Sequence, residues 1–547
     1  MEIRWLNKYS KQFLEKDYLL PGQSVPDRLK IIGDTAERIL GISGFSEKVQ
    51  DYIAKGWISP STPIWTNFGT NRGLPISCFG SFIPDSIQGI LQTTAEVGTM
   101  LKNGGGTSGY FGAIRGRGET ISSNGTTHGS KPFLGLFEQL ANVINQGSVR
   151  RGYFSGYIDI DHKDIEEWLT IRGEGDAIQH LTWGVCVPDQ WLNEMEAGDK
   201  KKRKIWAKVI QKRFETGLPY IFYTDNANNG ESVPEVYRGK GRIKASQMCT
   251  EIFLPSDEIE SFVCDLASLN DTLYDEWKDT DCVEVTTFLL DAAMSEFIEK
   301  ASKIQYFERA VAFAKAHRAL GIGRIGYHSY LQSKMIPFES LQARNINYEI
   351  QKTIYEQALA ASKKLATLYG ECEETKGTGR RNTTLIAIAP TTSSAFILGQ
   401  VSQSIEPWTS NLFTKDLAKG KFLMKNQELE KLLKKYDKNT DEVWDSIKIN
   451  HGSVLHLDFL SDLEKNVFKT AKEIDQNEII LQAGARQKYI DQGQSLNLFI
   501  SSDKNAKYVN GLLLKAHKLG IKSLYYQHNV NAAQILTRQL LACTSCE

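Results

Sequence analysis

The chain has 547 residues, 41% hydrophobic and 24% charged, with 65 Lys+Arg against 65 Asp+Glu. This length exceeds one small domain, the ordinary globular composition excludes a disordered or fibrous chain, and the balanced charge carries no sign of a duplex-binding protein. Eight cysteines are too few for a disulfide scaffold, no apolar run reaches the ~18 residues needed to span a bilayer, and the first residues lack a signal peptide's apolar stretch, so the expected setting is a reducing cytoplasm.

In chain order, Ser24 and Pro26 signal a helix start before Leu29, Ile31 and Ile32, and a second helix runs from Ser46 to a stop at Gly56. From about Gly69 the texture changes to glycine-rich loops between short apolar segments, so residues 1–68 read as an N-terminal helical region. Leu136, Phe137, Leu140, Val143 and Ile144 have helical spacing that ends at Gly147, and a longer helix runs from about Asn347 to Leu368. Thr383–Ala389 is a nearly continuous apolar run closed by Pro390, as expected of a strand covered on both faces. Ser495–Ser501 reads as a strand, Lys504–Leu519 as a helix and Lys522–Tyr526 as a strand, a βαβ unit that requires a parallel pair. The fold class is therefore α/β. Residues 531–547 read as a flexible tail ending in Cys543-Thr-Ser-Cys546-Glu.

Gly321-Ile-Gly-Arg-Ile-Gly326 matches the dinucleotide fingerprint but follows a helical run rather than a strand, so tight packing at a helix stop is preferred to a cofactor loop. No phosphate-loop motif and no paired zinc spacing occurs, and no metal site is expected. Gln247-Met-Cys249-Thr-Glu251 sets an amide, a thiol and a carboxylate two residues apart, which an extended loop would turn to one side. Cys264 follows fifteen residues after Cys249, and Ser77-Cys78 sits upstream in a turn region. Such mid-chain cysteines are otherwise buried small hydrophobes. Pro390-Thr391-Thr392-Ser393-Ser394 offers hydroxyls at a strand end, either an anion cradle or a plain helix cap. Gly104–Gly106 is a phosphate-approaching loop or merely flexible, and Tyr525-Tyr526 ends the last strand, where alternation would send the two rings to opposite sides. The exposed terminal thiols Cys543 and Cys546 suit a swinging dithiol that exchanges with a buried disulfide.

Taken in order, these motifs resemble those of the large, catalytic subunit of a class I ribonucleotide reductase, over about Gly69 to Glu547. The resemblance implies a ten-stranded α/β barrel over residues 69–530, with the cysteine loop threaded through its centre. It implies reduction of ribonucleoside diphosphates to 2′-deoxyribonucleoside diphosphates, with Cys249 as the thiyl radical, Glu251 as the base at the 3′-hydroxyl and Gln247 as a hydrogen-bonding amide. Cys78 and Cys264 would supply the electrons and end as a disulfide, which Cys543 and Cys546 would reduce by exchange. Ser77, Thr391, Ser393 and Ser394 would bind the substrate, and Tyr525 and Tyr526 would relay the radical from a partner. Asp85, Ser86 and Arg115 would contact a dNTP or ATP effector, with Arg172 to His180 as the loop reporting its identity.

Partners implied are a radical-generating small subunit with a dimetal or related cofactor, a second copy of this chain, and thioredoxin or glutaredoxin. No nucleic acid and no membrane is expected, and no cofactor in this chain. The family usually has asparagine where Gln247 stands, so glutamine keeps the amide and adds a methylene. The chain begins almost directly with its helical region, so no ATP-binding activity switch is expected within it. The alternatives are a cobalamin-dependent class II reductase, which needs no tyrosine relay, and a catalytically silent nucleotide-binding homologue.

Overall fold

The computed structural model describes residues 2–122, 125–144, 152–417 and 420–529. Its strands are β1 (Ile58–Pro60), β2 (Cys78–Phe82), β3 (Gly106–Tyr110), β4 (Tyr153–Asp159), β5 (Thr182–Val187), β6 (Tyr220–Tyr223), β7 (Phe262–Asn270), β8 (Leu320–Ile325), β9 (Leu412–Leu417), β10 (Gly420–Lys425), β11 (Leu498–Ile500), β12 (Ser523–Leu524) and β13 (Gln527–Asn529).

The N-terminal helices form where their caps predict. Helix Val25–Leu40 starts on a Ser24–Asp27 capping box with proline in its first turn, and helix Phe45–Lys55 stops at Gly56 in the left-handed conformation (φ 81°). Fully buried Arg28 donates to the carbonyls of Ile64, Trp65 and Phe68 and so ties these helices to the barrel's edge.

Strands β2 to β6 pair in parallel, each with the next. Strand β7 runs antiparallel to β2, and on its other edge pairs in parallel with β8. The ladder continues through bridges Ile322↔Ile386 and Ile388↔Gln494, both parallel, into the segment that becomes β11. There β11 pairs in parallel with β13, while β12 turns antiparallel onto β6 and closes the ring. Counting β2–β8, 384–388, 492–500 and 523–529 gives ten staves, in two parallel half-barrels set antiparallel to each other. The apolar core runs on from the N-terminal helices through the barrel, and a smaller second core under Trp444, Leu429 and Phe468 carries the β9–β10 hairpin.

Three local expectations shift. Thr383–Ala389 is buried and extended but is held by bridges rather than a full ladder, because the Asp491 carboxylate takes the N–H groups of Leu385 and Ile386, both at 2.8 Å. The parallel partner of β11 is β13 at Gln527–Asn529, not the stretch from Lys522, since Ser523 and Leu524 are taken by β6. The glycine fingerprint is not at a helix stop: helix Glu308–His317 ends at Arg318 (φ 43°), and Leu320–Ile325 is strand β8. Packing is nonetheless the reason for its first glycine. A Cβ on Gly321 would meet Leu266 Cδ2 at 2.5 Å, Ala387 Cβ at 2.8 Å and Cys264 Sγ at 3.3 Å. Helix Lys131–Val143 ends at Ile144, and the expected stop at Gly147 lies outside the described residues.

Candidate active site

A cleft encloses about 780 Å³ of space, open solvent at its mouth included. It is lined by Ser77, Cys78, Gln247, Cys249, Glu251, Thr391, Ser393 and Ser394 among others, so the sequence motifs at three distant places converge.

The loop carrying Cys249 is not extended as the alternation argument assumed. Thr250 N–H donates to Gln247 O at 3.2 Å in a turn, and Thr250 itself has φ 65°, a left-handed conformation that a β-branched residue resists. Both halves of the barrel hold this turn. Tyr157 on β4 donates to Gln247 O (2.7 Å), Ser523 on β12 to Thr250 O (2.8 Å), Ser495 to Cys249 O (2.5 Å), and Gly493 N–H to Glu251 O (2.9 Å). Within the turn, the Gln247 amide oxygen accepts from Cys249 N–H at 2.8 Å while its amide nitrogen donates to the Glu251 carboxylate. The Ser495 hydroxyl also lies 3.3 Å from Glu251 Oε2. Gly106 makes room for the loop, since a Cβ there would meet Met248 Cε at 3.0 Å. The Gly104–Gly106 run is therefore a strand entry under the loop, with Gly106 opening β3.

Cys78 and Cys264 are register partners across the antiparallel β2–β7 pair. Directly opposed residues have Cα atoms ~4.5–5.5 Å apart, inside the span a disulfide bridges. Both stand as thiols here. Burial pushes the Cys264 thiol well above its ordinary range, against a Gln492 amide that donates to its sulfur at 3.2 Å. It therefore holds its proton at neutral pH.

Tyr525 and Tyr526 depart from strand alternation because the ladder breaks between β12 and β13. Their ring centroids lie 4.4 Å apart at 57°. Tyr220 on β6, which the motif reading missed, completes a three-ring cluster at 4.9 Å from Tyr525 and 5.1 Å from Tyr526. Ser495 was also missed; nothing in its local sequence marks it.

At the other end of the cleft, Thr391 Oγ1 accepts from Ser404 N–H at 2.7 Å, and Thr392 Oγ1 donates to Gln403 at 3.0 Å. Ser393 Oγ is buried and has no hydrogen-bond partner among the described residues. Among the described residues no lysine or arginine lines the cleft, and no group of three His, Cys, Asp or Glu could hold a metal ion.

The expected effector residues lie elsewhere. Arg115 is paired with Asp85 (Nε–Oδ2 2.8 Å) and donates to Thr120 O at 2.7 Å, while the Ser86 hydroxyl caps helix Ile87–Lys102. Arg172 has φ 58° and donates to His180 O at 2.9 Å, closing the 172–180 loop on itself. That loop is pinned to helix Lys131–Val143 by Glu138, which accepts from Gln179 N–H (2.9 Å) and His180 N–H (2.7 Å), and by the Lys131–Asp176 ion pair. Cys543 and Cys546 lie outside the described residues.

Residues 76–202, 194–378 and 372–527 match the family model described as the ribonucleotide reductase barrel domain. The chain is 33% identical to the ribonucleoside-diphosphate reductase large subunit of Invertebrate iridescent virus 3, over 88% of this chain and 87% of that one. It is 29% identical to the corresponding Caenorhabditis elegans subunit, over 90% of this chain and 73% of the relative. Among solved structures, the Actinobacillus ureae class Id ribonucleotide reductase alpha subunit superposes with a TM-score of 0.91, at 51% identity and 99% coverage of both chains.

Proposed function

The chain belongs to the ribonucleotide reductase large-subunit family, and on that premise we propose how its residues divide the reduction of a ribonucleoside diphosphate to its 2′-deoxy form. The observation that carries the assignment is the convergence of Cys249, Glu251 and the Cys78–Cys264 pair on one cleft.

Hydroxide is a poor leaving group, so the 2′-hydroxyl is lost only after a radical is made at C3′. Cys249, as a thiyl, takes the 3′-hydrogen atom, and Glu251 takes the 3′-hydroxyl proton. The Gln247 amide, bonded at once to Cys249 N–H and to the carboxylate, holds these two groups in one geometry. Replacing the 2′-hydroxyl by hydrogen, with water lost, consumes two protons and two electrons, after which Cys249 returns its hydrogen atom to C3′, regenerating the thiyl, and Glu251 returns its proton to the 3′-oxygen. Cys78 and Cys264 supply these protons and electrons and become a disulfide, burial keeping Cys264 a thiol until then. Cys543 and Cys546 return the pair to thiols by exchange, and are themselves re-reduced by thioredoxin or glutaredoxin.

The radical comes from a separate small subunit, as in the class I enzymes this chain resembles. Tyr525 and Tyr526, with rings 4.4 Å apart, supply the relay toward Cys249. Thr391, Ser393 and Ser394 take the substrate phosphates, and Ser77 faces the ribose. Asp85, Ser86 and Arg115 form the effector site beside helix Ile87–Lys102. The exposed apolar residues Ile87 and Leu91 on that helix, with Leu136 and Val143 on helix Lys131–Val143, suit contact with a second copy of this chain. Glu138 then links that contact to the 172–180 loop.

The test is conversion of CDP to dCDP with dithiothreitol and an effector, comparing cognate small subunit with adenosylcobalamin. Activity only with the small subunit is expected. Activity with adenosylcobalamin alone would refute the relay and demote Tyr525 and Tyr526 to packing. No activity in either, with nucleotide still bound, would move the chain to the silent homologue.

A further inference from the structure

Ser59 lies at the centre of β1 and lines the same cleft, yet the proposed chemistry does not use it. It is 2% exposed, and its hydroxyl oxygen is buried without a hydrogen-bond partner among the described residues. Such orphans are rare in folded proteins and call for an explanation. Register supplies the direction: Ser59 stands opposite Ser268 on β7, directly opposed side chains share one face of an antiparallel pair, and Ser268 also lines the cleft.

The position along the barrel identifies the ligand group. Ser268 is four residues beyond Cys264 on β7, about 13 Å at ~3.3 Å per residue. Strand β8 and the 384–388 segment run in parallel with β7 toward Pro390–Ser394. Ser59 is thus displaced from the thiols in the direction of the phosphate-binding hydroxyls. Of those hydroxyls, Thr392 is committed as a donor to Gln403 and Thr391 accepts from Ser404 N–H, keeping its own proton to give, while across the cleft Thr62 shares a hydrogen bond with Tyr18 at 3.0 Å. Among the described residues, the fully buried hydroxyls lining the cleft that have no hydrogen-bond partner are Ser59 and Ser393. With no lysine or arginine in the lining among the described residues, these residues hold a diphosphate there by O–H and N–H dipoles, so each donor counts.

We propose that Ser59 is a substrate-binding residue that donates its hydroxyl to a phosphate oxygen of the nucleoside diphosphate, in concert with Ser393. This rests on the reading of Thr391–Ser394 as the phosphate site. An orphan filled only by ligand makes an unusual combined prediction: its removal weakens substrate binding without weakening the empty fold.

The experiment measures KM and kcat for CDP, with cognate small subunit and effector, and the thermal unfolding of the nucleotide-free chain. Ser59→Ala should raise KM about tenfold, equivalent to ~1.4 kcal/mol, with kcat within about twofold, the pattern of lost uniform binding. Its melting temperature should hold or rise. Ser393→Ala should behave the same way, and Ser59→Cys, with a weak S–H donor, should fall between wild type and Ser59→Ala. If Ser393→Ala raises KM but Ser59→Ala does not, the Ser59 assignment fails alone. If neither moves KM, the phosphate site is misassigned and the Ser59 proposal falls with it. A lower melting temperature with unchanged KM in Ser59→Ala and Ser59→Cys would make Ser59 a packing residue and overturn the proposal.

Discussion

The two ends of the cleft are built on opposite plans. At the thiol end, the turn carrying Cys249 is bonded from both half-barrels, through Tyr157, Ser523, Ser495 and Gly493, and internally through Gln247. At the hydroxyl end, Ser59 and Ser393 are buried with no partner among the described residues. The difference matches two demands. A radical abstraction needs its sulfur and base fixed before substrate arrives, since misplacement of about 1 Å costs ~10²-fold in rate. A phosphate site must accept and release its ligand each turnover, so its donors stay unsatisfied until the ligand supplies acceptors. The fixed end carries strain as well: Thr250 at φ 65° costs on the order of 1–3 kcal/mol, and the hydrogen bonds around it hold the turn in place.

The sharpest way to break this contrast is at the sulfur. Cys249→Ser keeps the shape of the turn and removes the radical carrier, so turnover should fall more than about 10⁴-fold, as for groups that act as a chemical unit. CDP binding, which depends on the other end, should change less than about threefold. Measurable reduction by this variant would sink the thiyl mechanism, and lost binding would mean the two ends are not separable. Glu251→Gln comes next. It removes the base while an amide can still meet Gln247, and kcat should drop by about 10²–10⁴-fold with KM little changed. A rise in KM with kcat intact would relocate Glu251 to substrate binding.

How far the sequence could reveal this contrast follows from the range of the interactions. The Gln247–Cys249–Glu251 spacing and the Ser77-Cys78, Cys264 and Thr391–Ser394 motifs were legible because each is local, and the resemblance linked them. The bonds that fix the turn were not, because Ser523 reaches Thr250 across 273 residues and Ser495 reaches Cys249 across 246. The same holds for the staves. The apolar run at Thr383–Ala389 marked a buried extended segment, but only Asp491, more than a hundred residues on, explains why its ladder is interrupted. The closing βαβ unit was legible as a pattern and misplaced by a few residues, because competition between β6 and β11 for residues 523–529 is a tertiary matter. Alternation assigned Tyr525 and Tyr526 to opposite faces, whereas the break between β12 and β13 brings their rings together. Ser59 has no sequence signal at all; its significance is the lack of a hydrogen-bond partner.

Ser495 tests the fixed end without removing its thiol or its carboxylate. Its hydroxyl supports Cys249 O and sits 3.3 Å from Glu251 Oε2, so Ser495→Ala takes one donor from this partly buried carbonyl and should destabilise the chain by ~1 kcal/mol. With the turn loosened, kcat should fall about tenfold and KM stay within about twofold. Steady-state kinetics and thermal unfolding of one preparation check both. If KM rose instead, the two ends would be coupled through the 492–495 stave, which also pairs with Ile388 just before the phosphate loop.

Thr391→Val is expected to have the smallest kinetic effect, and it separates location from bonding. Thr391 lies at the hydroxyl end, but its oxygen already accepts from Ser404 N–H at 2.7 Å. Ser393, two residues on, has no such partner among the described residues. If bonding state governs behaviour, Thr391→Val should lower the melting temperature, because Ser404 N–H is left without its acceptor, and raise KM for CDP only about threefold. Ser393→Ala should do the reverse, raising KM about tenfold at unchanged melting temperature. Equal KM effects and equal stability losses in the two variants would mean that position along the cleft, and not prior hydrogen bonding, decides which hydroxyls serve the ligand.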